Sequence, residues 1–279
     1  CAPSTGDSNP RSRGRKRCGK PLNKRFTGTG FSAPHAVQVA AMSTSKYKRP
    51  LLKLSGEALG PDKGMGIDGD RMLSIAQTIK DVLAIPVELA VVVGGGNFIR
   101  GAQLNIPSIQ KSTADYMGMM ATVMNAIALQ DTCESVGLET RVLSSLDVPR
   151  VAERWVRRRA IRHMEKGRVV IIAAGTGNPH FTTDTAAAQR SIELGCDVII
   201  KATKVDGVYD KDPKTNGDAK RFTKLTYQDA LEKNLRFMDQ TAIALCREHH
   251  MPVFVTDMNV PGNIERAIRG DDVGTLIES

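Results

Sequence analysis

Four short stretches combine glycine with lysine, arginine, threonine or asparagine, and each directly follows an apolar run. Lys53-Leu54-Ser55-Gly56 sets an ammonium beside a glycine turn, a pairing that can meet a phosphate with a charge and with backbone N–H groups. Gly94-Gly95-Gly96-Asn97 follows Val91-Val92-Val93, with Arg100 close behind. Successive glycines let a backbone approach an anion without Cβ clashes. The segment after them can aim its N–H dipoles at that anion, and Arg100 can add a bidentate contact. Gly175-Thr176-Gly177-Asn178-Pro179 runs through His180 into Phe181-Thr182-Thr183-Asp184. Thr182, Thr183 or Asp184 can cap a following helix, and the glycines, Asn and hydroxyls also suit an oxyanion. Lys201-Ala202-Thr203-Lys204-Val205-Asp206-Gly207-Val208-Tyr209 leads into Asp210-Lys211-Asp212-Pro213. A strand-ending lysine followed by a polar loop with one aromatic can hold an adenine and phosphates. Each stretch also has a plainer reading: a surface lysine, a flexible loop, a helix cap, a hairpin.

Other chemistries lack their context. Gly64-x-Gly66-x-x-Gly69 matches a dinucleotide fingerprint, but a polar loop precedes it where the fingerprint needs a strand. No G-x-x-x-x-G-K-[ST] string is present, so the chain is not a P-loop enzyme. The five histidines show no metal-ligand spacing, and His249-His250 reads as a solvated pair. The five cysteines lie far apart, with no C-x-x-C pair, which argues against a zinc site or a disulfide framework.

Strand-like and helix-like runs alternate from Tyr47 onward, and they must position these stretches. Pro50–Leu54, Val87–Val93, Thr140–Leu143, Arg168–Ala174, Asp197–Ala202, Pro252–Thr256 and Gly274–Ile277 read as strands. Helical spacing covers Asp70–Ala84, with Met72, Ile75, Ile79 and Val82 on one face, and Thr113–Val136. Val151–Glu165, Thr183–Leu194, Gln240–His250 and Pro261–Arg269 read as further helices. The alternation implies an α/β fold, a three-layer α/β/α sandwich around a mainly parallel sheet. In such sheets ligands bind at the carboxyl ends of the strands, where all four stretches fall.

Charge is unevenly spread. Residues 1–46 hold nine Arg and Lys against a single acid, Asp7, so nearly all of the net +9 resides there. The remainder is close to neutral, and a nucleic-acid partner is not expected for it. Residues 1–46 lack an apolar period and are expected to be disordered. Arg-rich, Ser-containing and acid-poor, they read as an organelle transit peptide, with Val39-Ala40-Ala41 as a processing site and a plastid stroma as destination; without such a role the location is cytoplasmic. No apolar run reaches the roughly 18–20 residues that cross a bilayer, so a soluble protein is expected, with residues 47–279 as a single catalytic domain.

In this order the stretches resemble the bacterial and plastid UMP kinase family of the amino acid kinase superfamily, from Tyr47 to Glu278. The matching strings are Lys53 to Leu59, Gly94 to Asn97, Asp115-Tyr116-Met117-Gly118-Met119, Gly175 to Asp184, Lys201 to Tyr209, and Met238-Asp239. The resemblance implies transfer of the γ-phosphate of ATP to UMP, with Mg2+ held through the ATP phosphates and not by protein ligands. It implies that Lys53, Leu54, Ser55 and Gly56 bind ATP phosphates, that Gly96 and Arg100 lie between the nucleotides, and that Thr203, Tyr209 and Asp212 hold ATP near its base and ribose. It likewise implies that Gly95, Asp115 and the run Thr176, Gly177, Asn178, Pro179, His180, Phe181, Thr182 and Thr183 would bind UMP, with Asp115 at the ribose hydroxyls. By the same resemblance Lys53 and Lys201 are expected to neutralise the transferring group, with Asp184 orienting them. Pro61, Asp62, Lys63, Gly64, Met65 and Gly66 correspond to the segment linked to GTP activation; GTP and UTP are the implied effectors and a homohexamer the implied assembly. His180 departs from the aromatic usual there. Acetylglutamate, glutamate and carbamate kinases share the lysine and glycine loops and are the rivals within the superfamily. A nucleic-acid binder acting through the basic tail is the rival from another class.

Overall fold

A computed structural model describes residues 45–99, 106–213 and 215–279. The expectations for residues 1–44 and for Arg100 lie outside the described residues.

Nine strands form one sheet among them: β1 (Pro50–Leu54), β2 (Ala90–Val93), β3 (Thr140–Ser144), β4 (Glu153–Arg154), β5 (Val169–Ala173), β6 (Val198–Thr203), β7 (Lys224–Thr226), β8 (Val253–Asp257) and β9 (Gly274–Glu278). Their order is β4-β3-β5-β2-β1-β6-β8-β9-β7. Every neighbouring pair is parallel except β8 and β9. The helices are α1 (Gly69–Leu83), α2 (Lys111–Ser135), α3 (Arg157–Glu165), α4 (Thr183–Leu194), α5 (Tyr227–Glu232), α6 (Gln240–Glu248) and α7 (Asn263–Arg269).

The central strands are apolar on both faces, as parallel strands under two helical layers must be. One face sets Leu52, Leu54, Val91, Val93 and Ile200 against α1, α2 and α7, which contribute Ile75, Ile79, Val123, Ala126 and Ile268. The other sets Leu51, Val92, Val170, Ile172 and Ile199 against Ala160, Met164, Ala186, Ala187, Ile243 and Cys246 of α3, α4 and α6. Each such aliphatic side chain contributes about 1.5–3 kcal/mol on burial. The expected three-layer sandwich is present.

Register then decides where the chemistry falls. Lys53 of β1 lies opposite Lys201 of β6, and Leu54 opposite both Val93 of β2 and Ala202 of β6. Alternation along a strand puts Lys53 on the face of Leu51 and Lys201 on that of Ile199, both toward α4. The four glycine- and lysine-bearing stretches follow β1, β2, β5 and β6, which are contiguous and parallel, so they share one rim.

Most boundaries shift by one or two residues from the sequence expectations, and three departures are larger. The strand expected over Val87–Val93 begins at Ala90, because Val87 N turns back to Ile85 O (2.8 Å). The helix expected over Val151–Glu165 begins at Arg157. Ahead of it Glu153 and Arg154 pair with Leu143 and Ser144 as an edge strand. Between β6 and α6 the chain forms β7 and α5, which had no counterpart in the sequence reading; Thr226 and Asp229 close a capping box there.

Candidate active site

The rim is built around one carboxylate. Asp184 lies in the first turn of α4, behind the cap residue Thr182, whose Oγ1 accepts from Asp184 N (3.1 Å) and Thr185 N (3.2 Å). Lys53 Nζ reaches Asp184 Oδ1 at 2.8 Å and Lys201 Nζ donates to Oδ2 at 2.8 Å. Lys201 also donates to Phe237 O. The three side chains are 9%, 14% and 15% exposed for Lys53, Lys201 and Asp184. Burial works to raise the Asp184 carboxyl, but the two ammonium groups outweigh it and hold it below the usual carboxylate range. Burial, aided by the neighbouring Lys53 charge, pulls Lys201 below an ordinary lysine. Asp184 is therefore an anchor for two cations and a poor proton acceptor.

The glycines around this centre serve packing first. A Cβ on Gly94 would lie 2.6 Å from Gly56 N, one on Gly95 would lie 2.6 Å from Gly118 O of α2, and one on Gly56 would collide with Gly96 N. The turns after β1 and β2 therefore touch backbone to backbone. Only Gly96 leaves its Cβ direction open, with Glu57 Cγ at 3.9 Å. Gly94 and Gly95 thus have a packing reason to be glycine, since neighbouring chain fills their Cβ directions, whereas Gly96 does not. Asn97 and Asn125 lock this turn: each donates to the other's Oδ1 (2.9 and 2.7 Å), Asn125 donates to Gly94 O (2.8 Å) and Asn97 to Gly66 O (2.8 Å).

On one side of the lysines lies a cleft of about 670 Å³ lined by Lys201, Thr203, Tyr209, Asp212, Arg236 and Phe237, among others. Thr203, Tyr209 and Asp212 are thereby brought together as expected. Their loop folds back as a hairpin, with Tyr209 bridged to Arg221, the plainer of the two readings of this stretch. Thr203 Oγ1 donates to Val205 O (2.6 Å) and Tyr209 Oη to Asp206 Oδ1 (2.6 Å). Leu54 is fully buried on the α1 face, so only its backbone can meet a ligand, whereas Ser55 is half-buried.

On the other side lies the loop after β5. Ala174, Gly175 and Gly177 have positive φ (59°, 54° and 82°), as does His180 (72°). His180 N donates to Asp115 Oδ2 (2.9 Å), and His180 Nε2 lies 3.2 Å from Ser112 Oγ. Asp115 also pairs with Lys111. Burial opposes the ionised Asp115 carboxyl, but Lys111 and the His180 amide hold it below the usual range. Thr176 Oγ1 accepts from Asn178 N (3.1 Å), while Phe181 and Thr182 stand exposed ahead of α4. Asp115, Thr176–Thr183 and Asp184 thus form one continuous wall.

Pro61–Gly66 lies at the same rim. Pro61, Asp62, Gly64 and Met65 face Gly96, Asn97 and Lys204 across a pocket of about 370 Å³. Asp62 pairs with Arg71 (2.6 Å) and Lys204 (3.6 Å). Gly69 opens α1 behind the cap Asp68 and follows no strand, so the glycine fingerprint has no dinucleotide geometry.

Sequence reading gave no role to Asp239 or Arg190. Asp239 caps α6 and takes hydrogen bonds from Thr182 (2.5 Å) and Thr185 (3.0 Å), tying the starts of α4 and α6 together. The Met238-Asp239 string was the only signal for it. Arg190, buried in α4, touches Gly175 O and Thr176 O, and no local pattern marked it. Among the described residues, no group of three His, Cys, Asp or Glu could hold a metal, and no helix is long and apolar enough to cross a membrane.

The comparisons agree with this geometry. The sequence profile described as the Amino acid kinase family matches residues 48–257. Among solved structures, the chain is similar to a UMP kinase from Bacillus anthracis, at 38% identity and TM-score 0.81 over 83% of this chain and 96% of that one. A UMP kinase from Ureaplasma parvum is 33% identical with TM-score 0.79, covering 83% of this chain and 99% of that one. A uridylate kinase from Archaeoglobus fulgidus is 28% identical with TM-score 0.64, over 82% and 99%. With a matched profile across most of its length and a rim of paired lysines on a parallel sheet, this chain belongs to the amino acid kinase family.

Proposed function

We propose that the chain is a UMP kinase that transfers the γ-phosphate of ATP to UMP, giving UDP and ADP. The observation that carries the reading is the convergence of Lys53 and Lys201 on Asp184, between a nucleoside-sized cleft and the wall formed by Asp115 and residues 174–183. ATP lies with its base and ribose in the cleft at Thr203, Tyr209 and Asp212 and its phosphates along Lys53–Gly56 and Gly96. UMP lies along the opposite wall, its ribose hydroxyls at Asp115.

The acceptor is a phosphate monoester with a second pKa near ~6, so it is already a dianion at neutral pH and needs no general base. The obstacle is repulsion between two anions. Catalysis then consists of positioning and charge neutralisation. Lys53 and Lys201 face the transferring phosphoryl group, and Asp184 fixes their ammonium groups in the low-dielectric rim, where a preorganised charge acts most strongly. In this reading Mg2+ would be held through the ATP phosphates and would supply neutralisation of the polyphosphate charge. Control by GTP belongs to the same proposal, with Pro61–Gly66 as the route because that segment abuts Gly96; UTP is a second effector by resemblance, with no segment assigned to it. A homo-oligomer, a hexamer by resemblance, is supported by Tyr116, Met120 and Met124, which are exposed four residues apart along α2. A plastid stroma rests only on the composition of residues 1–46.

A coupled ADP-release assay across UMP, CMP, glutamate, acetylglutamate and carbamate tests the reading. Turnover with UMP is expected; turnover only with a carboxylate or carbamate would replace it with one of the rival activities. In the same assay Lys53→Ala is expected to lower kcat far more than it raises the UMP KM.

A further inference from the structure

Arg190 stands midway along α4 and is 3% exposed. One terminal nitrogen donates to Ser145 Oγ (2.8 Å), Gly175 O (3.2 Å) and Thr176 O (3.2 Å). The other donates to Glu193 Oε2 (2.6 Å). The guanidinium carbon lies 4.5 Å from the centroid of the Trp155 ring. Ser145 follows β3 and itself donates to Gly175 O (2.9 Å). Glu193 alone would neutralise this arginine. The second terminal nitrogen is directed instead at Ser145 and at two carbonyls of the loop after β5, while the buried Nε has no hydrogen-bond partner among the described residues.

That loop needs holding. Ala174, Gly175, Gly177 and His180 all have positive φ, and for Ala174 and His180 such a conformation costs about 1–3 kcal/mol each and persists only where the surroundings over-determine it. Thr122 Oγ1 accepts from Ala174 N (2.7 Å) at the start of the loop, and Asp115 fixes His180 N at its end. Between those points Gly175 and Thr176 are gripped by Arg190 and Ser145. Because the peptide is planar and trans, turning Gly175 C=O toward Arg190 turns the Thr176 N–H the opposite way, off the α4 side.

We propose that Arg190 is the positioning residue of the acceptor loop, holding Gly175 and Thr176 in the conformation that receives the acceptor nucleotide, with Trp155 stacked on its guanidinium as support. This deepens the reading of residues 174–183 as the acceptor wall and rests on it. Lysine cannot replace the fork, because one ammonium does not reproduce the planar set of donors.

The test uses the full chain in the ADP-release assay, with UMP and ATP varied separately and a melting curve for each variant. Arg190→Lys is expected to raise the UMP KM about tenfold, as for the loss of charge-assisted hydrogen bonds, with the ATP KM within about twofold. Ser145→Ala, which removes the bridging hydroxyl and little volume, is expected to raise the UMP KM in the same direction by a smaller factor. An unchanged UMP KM in folded Arg190→Lys, or a parallel rise in both KM values, would mean that Arg190 only supports the fold. If Arg190→Lys does not fold, Ser145→Ala decides: an unchanged UMP KM there overturns the proposal. A wild-type chain inactive toward UMP would count against the function, not against Arg190, and the comparison would then be read on whichever acceptor the wild type phosphorylates.

Discussion

The two sides of the rim are built on different principles. On the side of the cleft, the side-chain hydrogen bonds of the lining residues are mostly local, although the backbone of the same loop is tied to β9 through Val208 N and Thr275 Oγ1 (2.9 Å). Thr203 bonds Val205, Tyr209 bonds Asp206, and Asn216 donates to Asp212 O, all within four residues. On the side of the loop after β5, the anchors come from afar: Asp115 lies 65 residues from His180, Thr122 lies 52 from Ala174, and Asp239 lies 57 from Thr182. A locally held hairpin can adjust to a ligand at small cost. A strained loop fixed by distant partners presents one conformation. Discrimination between acceptors should therefore reside in the long-range wall, and the cleft should tolerate change.

Substitutions can break this comparison at its hinge or at either side. The largest effect is expected at the shared centre. Asp184→Asn leaves Lys53 and Lys201 facing each other without their counter-charge, an uncompensated buried pair that costs about 3–5 kcal/mol. A fall in melting temperature should accompany a loss of kcat of about 100-fold or more. A kcat within threefold of wild type would show that the lysines do not depend on Asp184. Next comes the long-range wall: Asp115→Asn should raise the UMP KM about tenfold, the worth of a charge-assisted hydrogen bond, and leave the ATP KM alone. A defect confined to kcat would contradict a role on the ribose.

Titration sharpens the same contrast. Lys201 is pulled below the ordinary lysine value of 10.5, so kcat should fall as pH rises through that lowered value, earlier than for a solvated lysine. Lys201→Arg, which keeps its charge, should move the alkaline limb upward; an unmoved limb would assign it to another group. Asp184 has the opposite sign. Its folded pKa is depressed below 3.8, so its stabilisation is present above the unfolded value and is lost as pH falls through the folded one. The smallest effect is expected in the cleft. Tyr209→Phe removes one exposed hydrogen bond and should change the ATP KM about twofold to threefold; a change as large as that of Asp115→Asn would erase the distinction between the two sides.

The same distinction explains what the sequence revealed. β1 and α4 fell at their expected limits, because strong apolar periodicity and a Thr cap mark them. The short β4, β7 and α5 carry too few residues to show a period and exist by pairing with longer neighbours. The four rim stretches were legible because each is contiguous. Arg190, Asp239 and the Asn97–Asn125 lock were not, because their meaning lies in partners brought together only by folding. The packing reason for Gly94 and Gly95 was not legible, since their close contacts with Gly56 and α2 leave no trace in composition.

The central claim is that the lysine pair lies between two phosphoryl groups. A crystal structure with a non-hydrolysable ATP analogue and UMP both bound would test it most directly. The account predicts the γ-phosphoryl group and the UMP phosphate facing each other, with Lys53 Nζ and Lys201 Nζ within about 3 Å of phosphate oxygens. Phosphates bound elsewhere on the chain, with both lysines still engaged only with Asp184, would contradict it.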